Sequence, residues 1–287
     1  MSKIVSRAAL SGSLAVVLAA APVAAQDAGW SWDNSTEFAF VTASGNSSST
    51  TLGLQATLTG ETEVDAFKFE VGGIRASSKF VTRTAVGTTG SFTLNETVRE
   101  DKSAENYFAR SRYNRDLGEN DFFVFGGAGW ERNTFAGFNN RVSFVLGVGD
   151  TWVDDDVTLL KTDIGGTYTI QKDVEPTPGK DEGFGGLRAN VEFRRALSET
   201  TDFASLLIAD ENLADTEDLR LDWTSSVSVD LVSGLALKTS YRLLFDNQPA
   251  RIRVPLFDTP GGTETGQVTI PSKKYDNFVT VSLVISL

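Results

Sequence analysis

The 287-residue chain contains no cysteine and no histidine. Without cysteine there is no disulfide and no lipidated cysteine to hold the mature chain to a membrane. Without histidine, the general base of Ser- and Asp/His-dependent hydrolases is missing. With both absent, the usual zinc and transition-metal ligand sets cannot be assembled. No catalytic residue, no metal site and no cofactor is therefore expected, and the chain reads as a non-enzyme. Beyond the N-terminus no continuous apolar run approaches the roughly 18–20 residues of a spanning helix. Basic residues are scarce, 26 against 38 acids for a net charge of −12. So acidic a chain is a poor partner for nucleic acid, whose phosphates need a basic surface.

What is present begins with an export signal. Lys3 and Arg7 precede an apolar, small-residue stretch from Ala8 to Ala21, and Val23-Ala24-Ala25 offers small side chains for cleavage. Residues 1–25 are read as a signal peptide removed near Ala25, leaving residues 26–287 as a single domain. An uncleaved N-terminal anchor is the competing reading; Pro22 and the small-residue site argue against it. Cleavage removes two positive charges and no acid, so the mature chain is more acidic still.

The remainder alternates with a period of two. The last thirteen residues place Tyr275, Val279, Val281, Leu283, Ile285 and Leu287 on one face and mostly polar residues on the other. About twelve such strands are expected: Trp30–Thr42, Thr50–Thr59, Asp65–Ala76, Asn106–Arg115, Asp121–Arg132, Arg141–Trp152, Val157–Ile170, Gly185–Ala196, Phe203–Ala209, Leu219–Leu231, Leu235–Phe245 and Lys274–Leu287. Links after the even strands are short. Those after strands three, seven and eleven (Ser77–Glu105, Gln171–Phe184 and Asp246–Lys273) are long and polar. Short turns on one side and long loops on the other are the habit of outer-membrane barrels. The fold class expected is all-β, a transmembrane up-and-down antiparallel barrel; a soluble two-sheet sandwich is the alternative. The long connections at 77–105 and 246–273 are expected to fold over the barrel mouth.

If lipid lies outside, the polar faces turn inward. Isolated Arg or Lys facing hydrocarbon at the midplane would cost about 2–4 kcal/mol each, which supports that assignment. The residues expected to line the lumen are Arg110, Arg112, Glu131, Lys161, Asp163, Arg188, Glu192, Arg194, Arg220, Asp222, Lys238 and Arg242. Two readings stay open. Arginines 188, 194, 220 and 242 could form a charged ladder in a narrow channel for small polar or anionic solutes. Alternatively, pairs such as Arg220 with Asp222 or Glu192 could neutralise each other and close the barrel. A His-independent carboxylate-pair enzyme is a distant third. The Asp154-Asp155-Asp156 run reads as a solvated turn rather than a metal site. The acids Asp173, Glu175, Asp181, Glu182, Asp210, Glu211, Asp215, Glu217 and Asp218 read as outer-loop residues; a divalent-ion role there is the alternative to plain solvation.

The stretch from Phe123 through Gly126-Gly127-Ala128-Gly129-Trp130-Glu131-Arg132-Asn133 to Phe138 carries a resemblance. So do Leu146-Gly147-Val148-Gly149, Thr42-Ala43-Ser44-Gly45-Asn46 and Tyr241-Arg242-Leu243-Leu244-Phe245-Asp246-Asn247-Gln248-Pro249. Over about residues 30–287 the chain resembles the domain of unknown function 481 family, also described as salt-induced outer membrane proteins. The resemblance implies a barrel in a Gram-negative outer membrane, with a link to envelope or salt stress, and it brings no assigned chemistry. The expected partners are outer-membrane lipid, lipopolysaccharide and the outer-membrane assembly machinery, with the protein a monomer. One departure is Leu287 at the C-terminus, where many outer-membrane proteins end in an aromatic.

Overall fold

β-branched and aromatic residues at every second position suit a pleated surface with one apolar face, and this pattern sets the architecture. The computed structural model describes residues 29–43, 47–88, 91–118, 121–134, 136–176, 181–259 and 263–286. The expected signal sequence at 1–25 and the terminal Leu287 lie outside these. The strands are β1 Ser31–Ala43, β2 Ser47–Glu61, β3 Asp65–Thr88, β4 Ser91–Asp116, β5 Phe122–Asn133, β6 Phe138–Asp154 and β7 Thr158–Asp173. They continue with β8 Gly183–Ser198, β9 Thr201–Asn212, β10 Leu219–Val232, β11 Leu235–Asp246, β12 Arg251–Phe257, β13 Glu264–Pro271 and β14 Tyr275–Ser286. Twelve of them close into an antiparallel barrel in sequence order, with β14 between β11 and β1; β12 and β13 pair only with each other.

The outer wall is apolar all round. Phe38, Leu54, Phe144, Leu146, Ile164, Leu187, Val191, Trp223, Val227, Leu237 and Val281 are all exposed. Their sequence neighbours in the same strands carry the charges and turn inward. Exposed apolar side chains on every strand would be unfavourable in water, and they match hydrocarbon.

The short turns are tied locally. The Thr62 hydroxyl accepts the backbone N–H of Asp65 at 2.9 Å. The Asp155 carboxylate accepts those of Val157 and Thr158 at 2.8 and 2.6 Å, the work of a turn residue. Gly234, at φ +75°, makes the tight β10–β11 turn that other residues would resist.

Three expected loops turn out otherwise, in whole or in part. The 77–105 connection is the continuation of β3 and β4, paired from Ser77/Lys102 to Thr88/Ser91 after a bulge at Ala76. Its β-branched Thr and Val residues support a ribbon even where no apolar face is needed. The 246–273 connection contains the β12–β13 hairpin, paired from Arg251/Pro271 to Phe257/Glu264. Third, β9 runs past Ala209 to Asn212, so Asp210 and Glu211 belong to a strand rather than to an outer loop.

The closing seam is uneven. β1 pairs with β2 along its whole length, from Ser31/Glu61 to Ala43/Ser49. β14 pairs with β11 from Ile285/Leu235 to Tyr275/Phe245. Between themselves, the described residues of β1 and β14 share four register pairs, Ser35/Ser286 to Phe38/Leu283.

Candidate functional site

Register decides which charges meet inside the barrel. Arg188 on β8 lies directly opposite Asp210 on β9, and its guanidinium donates twice to that carboxylate at 2.7 and 2.9 Å. Arg242 on β11 donates twice to Asp222 on β10, at 2.8 and 2.6 Å. Such two-pronged pairs are directional and charge-assisted. Arg112 on β4 reaches over β5 and β6 to Asp163 on β7 at 2.8 Å, and Asn190 donates to the same carboxylate at 2.6 Å. Lys238 contacts Glu37 at 2.6 Å.

The expected pairing of Arg220 with Asp222 or Glu192 is not what forms. Arg220 contacts Asp218 at 3.6 Å, while Asp222 is held by Arg242 and Glu192 by Arg194 at 3.1 Å. Arg220 stands opposite Asp210 on one side and Asp246 on the other. Asp210 already serves Arg188, so the Arg220 side chain turns toward the top of β10. There its guanidinium shares the Gln171 side-chain oxygen with Arg141, at 3.5 and 2.7 Å respectively. Asp218, expected in a solvated loop, is buried.

The Arg112, Asp163, Arg188, Asp210, Arg220, Asp222 and Arg242 side chains surround a cavity of about 300 Å³. Of the twelve expected lumen residues, Arg110, Arg112, Glu131, Asp163, Arg188, Glu192, Arg220, Asp222 and Arg242 line it. Lys161, Arg194 and Lys238 do not. Arg194 is 60% exposed toward the short-turn end, Lys161 lies opposite Glu192 in the same lower region, and Lys238 sits low on β11 beside Glu37. Sequence reasoning missed Arg141, Asp210 and Gln171. Arg141 shares a face with Ser143, Val145, Gly147 and Gly149, and this small-residue alternation is a usable signal.

One wall of the lumen is filled differently. Phe123 and Phe125 point inward from β5 and are almost fully buried. The glycines opposite them make the room: a Cβ on Gly147 would come within 2.7 Å of the Phe125 ring, and one on Gly149 would collide with Phe123. Arg112 lies flat over Phe125, 3.8 Å from its centre.

The two ends of the lumen contrast. At the long-loop end, Gly137 in the β5–β6 turn meets Ala250 from the far side of the barrel so closely that a Cβ would overlap it. Gly137 has φ +90°, which glycine alone adopts without strain. The crossing segment is fastened by polar bonds. The Asn247 side chain donates to the Glu217 carbonyl at 2.9 Å, Gln248 donates to Asp215 at 2.9 Å, and Lys274 donates to Asn247 at 2.7 Å. Ala250 and Phe138 are buried beneath it. Toward the short-turn end the walls open: Glu192 is 40% exposed, and Lys68 49%.

The fold and lumen define a closed barrel with an apolar outer wall and a charged, partly hollow interior. A family model described as "Protein of unknown function, DUF481" matches residues 36–256, and the chain belongs to that family. No curated protein matches the chain. Among solved structures it is similar to a NanC porin, 8% identical, covering 90% of this chain and 100% of that one with a TM-score of 0.46. It is also similar to the anion-selective porin from Comamonas acidovorans, 9% identical over 90% of this chain and 100% of that one, TM-score 0.38. The translocator domain of the autotransporter NalP from Neisseria meningitidis is 13% identical, with 90% of this chain and 88% of that one covered and a TM-score of 0.41.

Proposed function

We propose that the mature protein is a monomeric, non-enzymatic barrel of the Gram-negative outer membrane, a narrow passage for small polar solutes gated at its long-loop end. The observation that carries this reading is the hollow, charge-lined cavity directly beneath a single polar crossing segment, with the other end open. A barrel serving only as structure has no need of a hollow, charge-lined chamber. The bonds that hold the segment are few and lie at the surface, so their loss leaves the wall intact. Wall charges of both signs suit small polar or zwitterionic solutes as well as anions. Lipopolysaccharide would meet the acidic outer rim, and assembly machinery would read the C-terminal strand.

A permanently closed barrel is the second reading. It is favoured by the pairing of Arg188 with Asp210, Arg242 with Asp222 and Arg112 with Asp163. Single-channel recording of refolded protein in a planar bilayer separates the two. Asn247→Ala combined with Gln248→Ala removes three surface hydrogen bonds, each worth about 0.5–1.5 kcal/mol, and is expected to raise the open fraction about tenfold or more. Silence from both proteins, with heat-modifiable gel migration showing them folded, would leave the closed barrel as the function-bearing form.

A further inference from the structure

The seam between β1 and β14 parts halfway up. From Ser35/Ser286 to Phe38/Leu283 the strands are paired. Continued in register, Ala39 would meet Ser282, Phe40 would meet Val281 and Thr42 would meet Val279. Among the described residues none of these pairs forms, although both strands continue to Ala43 and Tyr275 and keep their other neighbours. The first unpaired layer is marked by buried Ser282, whose hydroxyl donates to Glu37 at 3.4 Å. Above it, Val279 is 74% exposed.

An unpaired strand edge inside hydrocarbon is costly, because lipid tails offer its N–H and C=O groups nothing. A gap at this height is therefore a place where something other than tail methylenes comes and goes. Outside it stand the apolar Phe40, Val279 and Val281. Inside, at the head of the same strand, Lys273, Lys274 and Asp276 line the lumen cavity. Apolar flanks on the lipid side and charges of both signs on the cavity side match a molecule that is itself divided. With the mouth above shut at Gly137 and Ala250, the side slot is the shorter way between the cavity and the outer half of the bilayer.

We propose that the parted half of the β1–β14 seam is a lateral portal for a single-chain amphiphile, whose polar head enters the cavity at Lys273, Lys274 and Asp276 while its chain stays in lipid. This rests on the membrane-spanning reading and goes beyond a route along the barrel axis. Neighbouring strands sit about 4.8 Å apart, so two strands that part leave a slot on the scale of one hydrocarbon chain rather than of a folded protein.

The test uses the full mature chain in phosphatidylcholine vesicles containing lysophosphatidylcholine with a photoreactive acyl chain. Adducts are expected on the inward Phe278 and Thr280 as well as on the outward Val279 and Val281. The chain has no cysteine of its own, so Phe40→Cys with Val281→Cys gives a lock specific to the seam. Oxidation should reduce labelling of Phe278 and Thr280 about tenfold, and reduction should restore it. Adducts confined to the outer face, inner labelling indifferent to the lock, or a disulfide between two chains in place of one within a chain would each overturn the portal. Should the double variant fail to fold, hydrogen exchange on the unaltered barrel decides. Alternate amides of Ala39–Ala43 and of Tyr275–Ser282, those that face the seam, should exchange about tenfold or more faster than those of β10. Protection equal to that of β10 would overturn the proposal. Conductance is not read in either experiment, so failure of the portal and failure of the axial channel remain distinguishable.

Discussion

Two walls of the same lumen solve the problem of an inward-facing strand in opposite ways. Along β4 to β7 the interior is packed: Phe123 and Phe125 lie in hollows left by Gly147 and Gly149, and Arg112 stacks over them. Along β8 to β11 it is wired: Arg188, Asp210, Asp222 and Arg242 hold one another across the strands and leave space in front of them. The packed wall resists change through lost volume, and the wired wall through unpaired charge. The hollow is lined from both walls by charged side chains and leaves out Phe123 and Phe125, because ion pairs tolerate water next to them and aromatic packing does not.

That contrast can be broken at several points. The largest effect is expected on the packed wall, where Phe125→Ala should cost about 3–5 kcal/mol in urea titrations of the folded barrel, because the glycines opposite cannot move in to fill the void. On the wired wall, Asp222→Ala strands the Arg242 guanidinium. Both side chains keep about a quarter of their surface exposed, which softens the penalty to about 2–3 kcal/mol, below that of a fully buried pair. Its sharper signature is a change in ion preference if the passage conducts, which reversed salt gradients would read. The smallest effect belongs to Arg194→Ala, whose pair with Glu192 is largely in solvent; it should change stability by less than about 1 kcal/mol. A large loss there, or none at Phe125, would abolish the distinction between the walls.

The same contrast explains what was legible in the sequence. Strands β5 through β11 show in the text because each must present apolar residues to one side, and lipid imposes a strict period of two. Which face carried Arg188 and Asp222 could be read from parity alone. The partner of Arg220 could not, since it depends on Asp210 being already engaged, and Asp210 itself was hidden because the apolar alternation of β9 stops at Ala209. The upper halves of β3 and β4 read as a loop, since a ribbon in water has no apolar face to display. Nothing in β1 or β14 marks where they part: the alternation runs on through Phe40 and Val279 without interruption.

The β3–β4 ribbon has a consequence for how these molecules live beside one another. β2 follows β3 only as far as Phe80, and β5 follows β4 only as far as Asn106. Beyond those points, among the described residues, the ribbon pairs only with itself, and its two edges are the kind of surface on which a second chain can grow a sheet. A two-stranded ribbon is marginal by itself and would profit from such company. Its sequence discourages it: Lys79, Arg99 and Glu100 put charge of both signs on the ribbon. In a crowded membrane, where barrels meet side by side, that spacing of charge is a guard against sheet-to-sheet polymerisation.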